Sequence, residues 1–152
     1  MDGTLIHASC VAADGAGLLI LGRPGAGKSR LALELIALGA ALVADDQTLI
    51  RRSGDALLAA PPPRLAGMIE ARGIGLLRAP HVAPVRLALA IDLDAASVER
   101  LPPRRAWRLL GVAVPLILRP ESVSPAALMA TLRWGPPLDP DLPIGRETPC
   151  EG

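Results

Sequence analysis

Apolar positions along this chain fall into short runs broken by glycine, proline and aspartate. Residues 5–12 read as a strand, and Asp14-Gly15 is a hairpin-type pair leading into a second strand at 18–21. From 28 to 38 the spacing of Leu31, Leu33, Leu35, Ile36 and Leu38 predicts a mostly buried helix, with Gly39 where a C-terminal cap belongs. Residues 41–44 form a short apolar strand ending at Asp45-Asp46. Two further strands, 48–52 and 56–59, flank the turn Ser53-Gly54-Asp55, and Pro61-Pro62-Pro63 ends regular structure there. The stretch 65–75 mixes a helical-looking piece with a glycine-containing loop. A central strand is predicted over 85–92 and another over 113–118, with Pro102-Pro103 breaking the chain between them. Ser124-Pro125 is a helix start, and 126–134 carries that helix. Residues 135–152, rich in Pro, Asp and Gly, are expected to be a mobile tail outside a catalytic domain at 1–134. Strands outnumber helices, and two hairpins interrupt any β-α-β alternation. The expected fold is α/β with a mixed sheet, not an all-parallel one.

Between the second strand and the first helix lies Gly22-Arg23-Pro24-Gly25-Ala26-Gly27-Lys28-Ser29, a Gly-x-x-x-x-Gly-Lys-Ser loop. Strand, loop and helix in that order make a phosphate site. The glycines let backbone N–H groups converge on an anion, and the helix N-terminus adds partial positive charge. Lys28 would reach the β- and γ-phosphates of a nucleotide, and the Ser29 hydroxyl would ligate Mg²⁺.

Composition narrows the partners. The 152 residues carry a net charge of +1, so no global field points to nucleic acid or a membrane surface. Phe and Tyr are absent, which leaves the core to Leu, Ala, Val and Ile and removes those side chains as base-stacking platforms. Trp107 and Trp134 are expected in the core or an interface. Cys10 and Cys150 match no zinc spacing and read as reduced thiols of a cytoplasmic protein. The N-terminus lacks the pattern of a signal peptide, and no apolar run is long enough for a membrane span.

A phosphate loop specifies a nucleotide but no reaction. Asp45 and Asp46, at a strand end, suit Mg²⁺ binding or activation of a nucleophile, or simply a solvated turn. Asp92, closing the apolar run 87–91, is a rival magnesium carboxylate. Glu70 and Arg72 form either part of a loop folded against the site or a surface ion pair. His7 lies in an apolar strand and can be structural or functional.

Taken together, Gly22–Ser29, the following helix, Val43-Ala44-Asp45-Asp46, Ala60-Pro61-Pro62 and Ile69-Glu70-Ala71-Arg72-Gly73-Ile74-Gly75 resemble the catalytic domain of HPr kinase/phosphorylase, in the short form without an N-terminal domain. The resemblance runs from about Leu5 to Trp134. It implies ATP- and Mg²⁺-dependent phosphorylation of a serine on the phosphocarrier protein HPr, and removal of that phosphate by phosphorolysis. It also implies a sheet like that of the nucleotide domain of phosphoenolpyruvate carboxykinase, and a homo-oligomer, hexameric in the long form. By position, Asp45 matches the acid/base aspartate, Asp46 a neighbour near the metal, Glu70 a Mg²⁺-associated glutamate and Arg72 a member of the same signature. His7 matches a histidine beside the catalytic aspartate, and Arg119 a loop arginine linked to phosphorolysis. The competing readings are a P-loop kinase of a small metabolite and a nucleotide-sensing module without turnover.

Overall fold

A computed structural model describes residues 3–141. The strands are β1 (Gly3–Ile6), β2 (Ala8–Ala13), β3 (Ala16–Leu21), β4 (Ala41–Ala44), β5 (Thr48–Ser53), β6 (Ala56–Ala60), β7 (Met68–Ala71), β8 (Gly75–Arg78), β9 (Val85–Ala96), β10 (Arg105–Leu109) and β11 (Val112–Arg119). Two helices, α1 (Lys28–Ala37) and α2 (Pro125–Trp134), and a short 3₁₀ turn at Pro63–Leu65 complete the described chain.

Nine strands form one mixed sheet in the order β1-β5-β6-β9-β3-β2-β4, with β11 also paired to β9 and β10 to β11. Its organiser is β9, twelve residues long. One edge of β9 pairs in parallel with β3 from Arg86 to Asp92. The other edge is shared in succession: Val85 and Arg86 pair with β6, and Ala90 to Ala96 pair with β11. The sheet therefore curls, and both of its faces are covered. On one face Leu18, Ile20 and Ile91 pack with Leu31 and Leu35 of α1 and Leu128 and Leu132 of α2. On the other, Cys10, Leu19, Ile50, Leu57, Leu87 and Val114 pack strand against strand. Burial on both faces explains why β2 and β3 read as continuous apolar runs and not as alternating ones. Cys10 is one of these packed residues. Burial pushes its thiol well above the ordinary range and leaves it inert.

Most of the expected elements are present, with four differences. The run 5–12 is two strands, because the chain changes partners at His7: β1 pairs with β5, whereas β2 lies between β3 and β4. The helical-looking piece near 65 is only the 3₁₀ turn. Met68–Ala71 and Gly75–Arg78 form a separate β-hairpin, with Ile69 and Ala71 buried and Glu70 exposed between them. The strand expected over 85–92 continues to Ala96. Beyond Pro102-Pro103 lies the unexpected strand β10, joined to β11 by a tight turn at Leu110 and Gly111, both with positive φ. Trp107 packs against the second core, but Trp134 is exposed and belongs to neither cluster. The tail expected at 135–152 lies mostly outside the described residues. Within the described part, the Arg104 guanidinium donates to the carbonyl of Pro137.

Four strands deliver their carboxyl ends to one edge. β3, β9 and β11 are mutually parallel, and β4 runs with them because it is antiparallel to β2, itself antiparallel to β3. That edge is where an α/β sheet places its ligand.

Ile91, fully buried at the centre of this arrangement, is expected to be worth about 2–5 kcal/mol when cut to alanine. Val98→Ala, at a position 91% exposed, should stay within about 0.5 kcal/mol. Urea unfolding of the two variants checks both figures.

Candidate functional site

The loop Gly22–Ser29 joins β3 to α1 on the ligand edge. Gly27 is the N-cap of α1, with φ 100° in the left-handed region that an ordinary side chain avoids. It provides no side-chain cap, and the first turn carries no acidic residue. The amides that a Ser or Asp cap would satisfy are thus left to an incoming anion. The contrast with α2 is direct: there Ser124 Oγ accepts from the Ala127 N–H at 3.2 Å and closes the helix end.

Lys28 is 95% buried, leaving 5% of its surface exposed. Its ammonium folds back over the loop, donating to the carbonyls of Gly22 at 2.7 Å and Arg23 at 3.1 Å. Asp46 Oδ1 lies 3.8 Å from the same nitrogen. The cation is therefore held inside the loop, where phosphate charge would gather.

Asp45 follows the last residue of β4 and collects contacts from three other segments. Its Oδ1 accepts from Ser29 Oγ at 2.6 Å and from Ser9 Oγ at 3.0 Å. Its Oδ2 accepts from the backbone N–H of Glu70 at 3.1 Å. Asp46, next in the chain, has a positive φ of 63° and donates its N–H to Ser9 Oγ at 3.0 Å. Adjacent acids would face opposite ways on a continuing strand; here the strand has ended, and the turn brings both to one place.

The β7–β8 hairpin reaches Asp45 because the backbone around it is stitched to β4. Ala79 N–H donates to the Gly67 carbonyl, Leu42 N–H to the Pro80 carbonyl and Val82 N–H to the Leu42 carbonyl. Gly67, with φ 74°, sits so close to the His81 ring that a Cβ there would lie 2.8 Å from Nδ1. Glu70 thereby brings its backbone, not its carboxylate, to Asp45. Glu70 and Arg72 are both exposed, and no ion pair joins them among the described residues.

The remaining expected residues occupy the same edge more loosely. His7 is exposed at the bend between β1 and β2, and none of the bonds holding Asp45 comes from it. Arg119 is exposed at the end of β11, its carbonyl accepting from Ser97 N–H. Asp92, the rival acid, accepts from the N–H of Asp94 on its own strand.

Two contributors were not anticipated. Asp94 accepts the Arg23 N–H at 2.8 Å and lies 3.7 Å from the Arg23 guanidinium, pinning the start of the phosphate loop to β9. Ser9 is a fully buried hydroxyl in an otherwise apolar strand. Its signal was available, because a buried polar group in such a run must find a partner. Asp94 offered only the alternation of acids at 92 and 94.

The donor set suits Mg²⁺. Ser29 Oγ and the Asp46 carboxylate are hard oxygen donors beside a phosphate loop, and the exposed Glu70 carboxylate is a third on the neighbouring hairpin. Among the described residues no three His, Cys, Asp or Glu side chains converge as a ready-made cage. Mg²⁺ in phosphoryl-transfer sites ordinarily takes one or two carboxylates and completes its shell with water and substrate phosphates, so such a cage is not required.

A mixed sheet with a phosphate loop, a buried loop lysine and a clasped aspartate at the next strand end is a P-loop site of the nucleotide-binding type. The comparisons specify it further. The family described as HPr Serine kinase C-terminal domain matches residues 2–116, and the chain belongs to that family. Among curated relatives, an HPr kinase/phosphorylase of an Exiguobacterium species is 47% identical over 75 residues, covering 49% of this chain and 24% of the relative. That of Geobacillus thermodenitrificans is 38% identical over 105 residues, covering 64% of this chain and 34% of the relative. The chain thus spans about a quarter to a third of the length of these relatives. A solved HPr(Ser) kinase/phosphatase structure from Coxiella burnetii superimposes with a TM-score of 0.72 at 29% identity, covering 86% of this chain and 88% of that one. The phosphoenolpyruvate-carboxykinase-like mixed α/β fold expected from the sequence is the fold found. Membership in a kinase family implies use of a nucleotide. No helix among the described residues is long and apolar enough to cross a membrane.

Asp94→Ala should loosen the loop and weaken nucleotide binding by roughly 3- to 10-fold while leaving the fold intact, the size expected for one partly exposed bond to a charged acceptor. Asp92→Asn should change binding less. Calorimetric titration of both variants measures the difference.

Proposed function

We propose that this chain is a serine kinase of the phosphocarrier protein HPr, using ATP and Mg²⁺, and that the same site runs the phosphorolytic reversal. The observation that carries the reading is Asp45 beside the phosphate loop, its carboxylate bonded to Ser29 at 2.6 Å. A serine hydroxyl is a poor nucleophile at neutral pH. A placed carboxylate takes its proton as the new P–O bond forms, typically worth about 10²–10⁴ in rate. In phosphorolysis inorganic phosphate attacks the phosphoserine and takes the phosphoryl group as pyrophosphate, while the same residue returns a proton to the serine oxygen as it leaves.

Each neighbour has a part in this reading. The loop amides and the open end of α1 bind the phosphates. Lys28 supplies charge where the transferred group passes. Mg²⁺, when bound through Ser29, Asp46 and Glu70, would neutralise charge on the nucleotide phosphates. Arg119, on the same edge, takes part in phosphorolysis, and His7, exposed at the bend before β2, is a catalytic residue by family resemblance, without a bond to Asp45. Residues 1–134 are the catalytic unit, the protein works in the cytoplasm without nucleic acid or membrane, and it assembles as a homo-oligomer, by family resemblance a hexamer.

The test is incubation with Mg²⁺-ATP and purified HPr, followed by mass spectrometry of HPr. One added phosphoryl group on a serine is expected, and unmodified HPr overturns the assignment. Lys28→Ala should lose phosphoryl transfer in a folded protein. Asp45→Asn should lose about 10²–10⁴ in rate in both directions with nucleotide affinity little changed. Turnover that survives Asp45→Asn but disappears in Asp92→Asn would make Asp92 the working acid instead.

A further inference from the structure

The register of β2 against β4 explains which side chain meets the aspartate. Cys10 is opposite Ala44 in this antiparallel pair, so one residue further along, Ser9 stands across from Asp45. Opposed residues share a face of the sheet. His7, two residues earlier, falls beyond the aspartate.

The direction of both Ser9 bonds is fixed by chemistry. The Asp46 N–H can only donate, so Ser9 Oγ accepts there, at 3.0 Å. An ionised Asp45 can only accept, so the Ser9 hydroxyl proton points to Oδ1, at 3.0 Å. One buried hydroxyl thus ties together the carboxylate of Asp45 and the backbone of Asp46, whose φ of 63° is unusual for a residue other than glycine.

An ionised carboxylate offers about four lone-pair positions. On Oδ1 both are taken, by Ser9 and Ser29; on Oδ2 one is taken, by the Glu70 N–H. A single position on Oδ2 remains. We propose that Ser9 is a positioning residue: its hydroxyl holds the rotation of the Asp45 carboxylate so that this free lone pair of Oδ2 is the one presented to the acceptor hydroxyl of the substrate. The inference rests on Asp45 acting as the base. It adds a residue and an oxygen atom to that reading. Without Ser9, only Ser29 and Glu70 would restrain the carboxylate, and it could turn out of its place between them about its χ2 torsion, which is soft for aspartate.

The test compares Ser9→Thr with Ser9→Val. The two replacements have nearly the same shape and suit a strand, and only one keeps the hydroxyl. With HPr as substrate, Ser9→Thr should stay within about threefold of the wild-type kcat, while Ser9→Val should lose about 10- to 100-fold, the scale of a misplaced reacting group. The KM for nucleotide should change far less than kcat in both, since the loop and Lys28 themselves are untouched. A crystal structure of Ser9→Val should show the Asp45 carboxylate rotated from its place between Ser29 and Glu70. Equal kcat values for the two variants, or an unmoved carboxylate in the Ser9→Val crystal, overturn the inference. If overpacking prevents either from folding, Ser9→Ala, which adds no volume, is measured in the same two ways and decides by the same criteria. If wild-type protein leaves HPr unmodified, the kinase reading fails on its own, and the carboxylate position in the crystal still decides the role of Ser9.

Discussion

Three segments distant in sequence depend on one carboxylate. Asp45 accepts from Ser29 at the start of α1, from Ser9 in β2 and from the backbone of Glu70 in β7. Hydrogen bonds to an ionised acceptor are stronger than neutral ones, and their loss in a partly buried place is costly. The sheet supplies the position of this carboxylate. β4 is an outer strand next to β2, and it ends where β3 hands the chain to the phosphate loop. Loop, carboxylate and hairpin are consequently fixed relative to one another before any ligand arrives, so a charge developing there would meet a preorganised environment.

What could be read in the sequence follows from how local each feature is. The phosphate loop and its flanking strand and helix are contiguous, so their chemistry is written in one stretch of residues. The second hairpin and the start of α2 were equally legible, because Ser53-Gly54-Asp55 and Ser124-Pro125 act through local backbone preferences. The strand β10 was hidden because Arg105-Ala106-Trp107-Arg108-Leu109 has alternating burial but little apolar density, and it follows two prolines. The break at His7 was hidden for a different reason. It marks a change of partner strands, which is a property of the sheet and not of the run.

The candidate site divides in the same way. Lys28, Ser29, Asp45 and Asp46 come from spacing and order along the chain. Ser9 and Asp94 emerge only when the strands are laid side by side: Ser9 from the register of β2 on β4, Asp94 from the parallel pairing of β9 with β3 beside the loop. Glu70 was legible as a residue of the site, but its observed contact is through main chain, and main-chain contacts carry no residue signature.

The open end of α1 has a thermodynamic consequence. A glycine N-cap costs a helix only about a few tenths of a kcal/mol against Ser or Asp, but at Gly27 it leaves the first amides of α1 without a side-chain partner. A bound phosphate would supply the missing acceptor, so nucleotide occupancy and helix integrity become linked quantities. The protein without nucleotide then resembles a structure with one unsatisfied terminus, and each increment in nucleotide concentration above its dissociation constant appears as added resistance to unfolding. The loop that would cradle the nucleotide's phosphates is also the place where the concentration of nucleotide around the protein would be converted into the stability of its first helix.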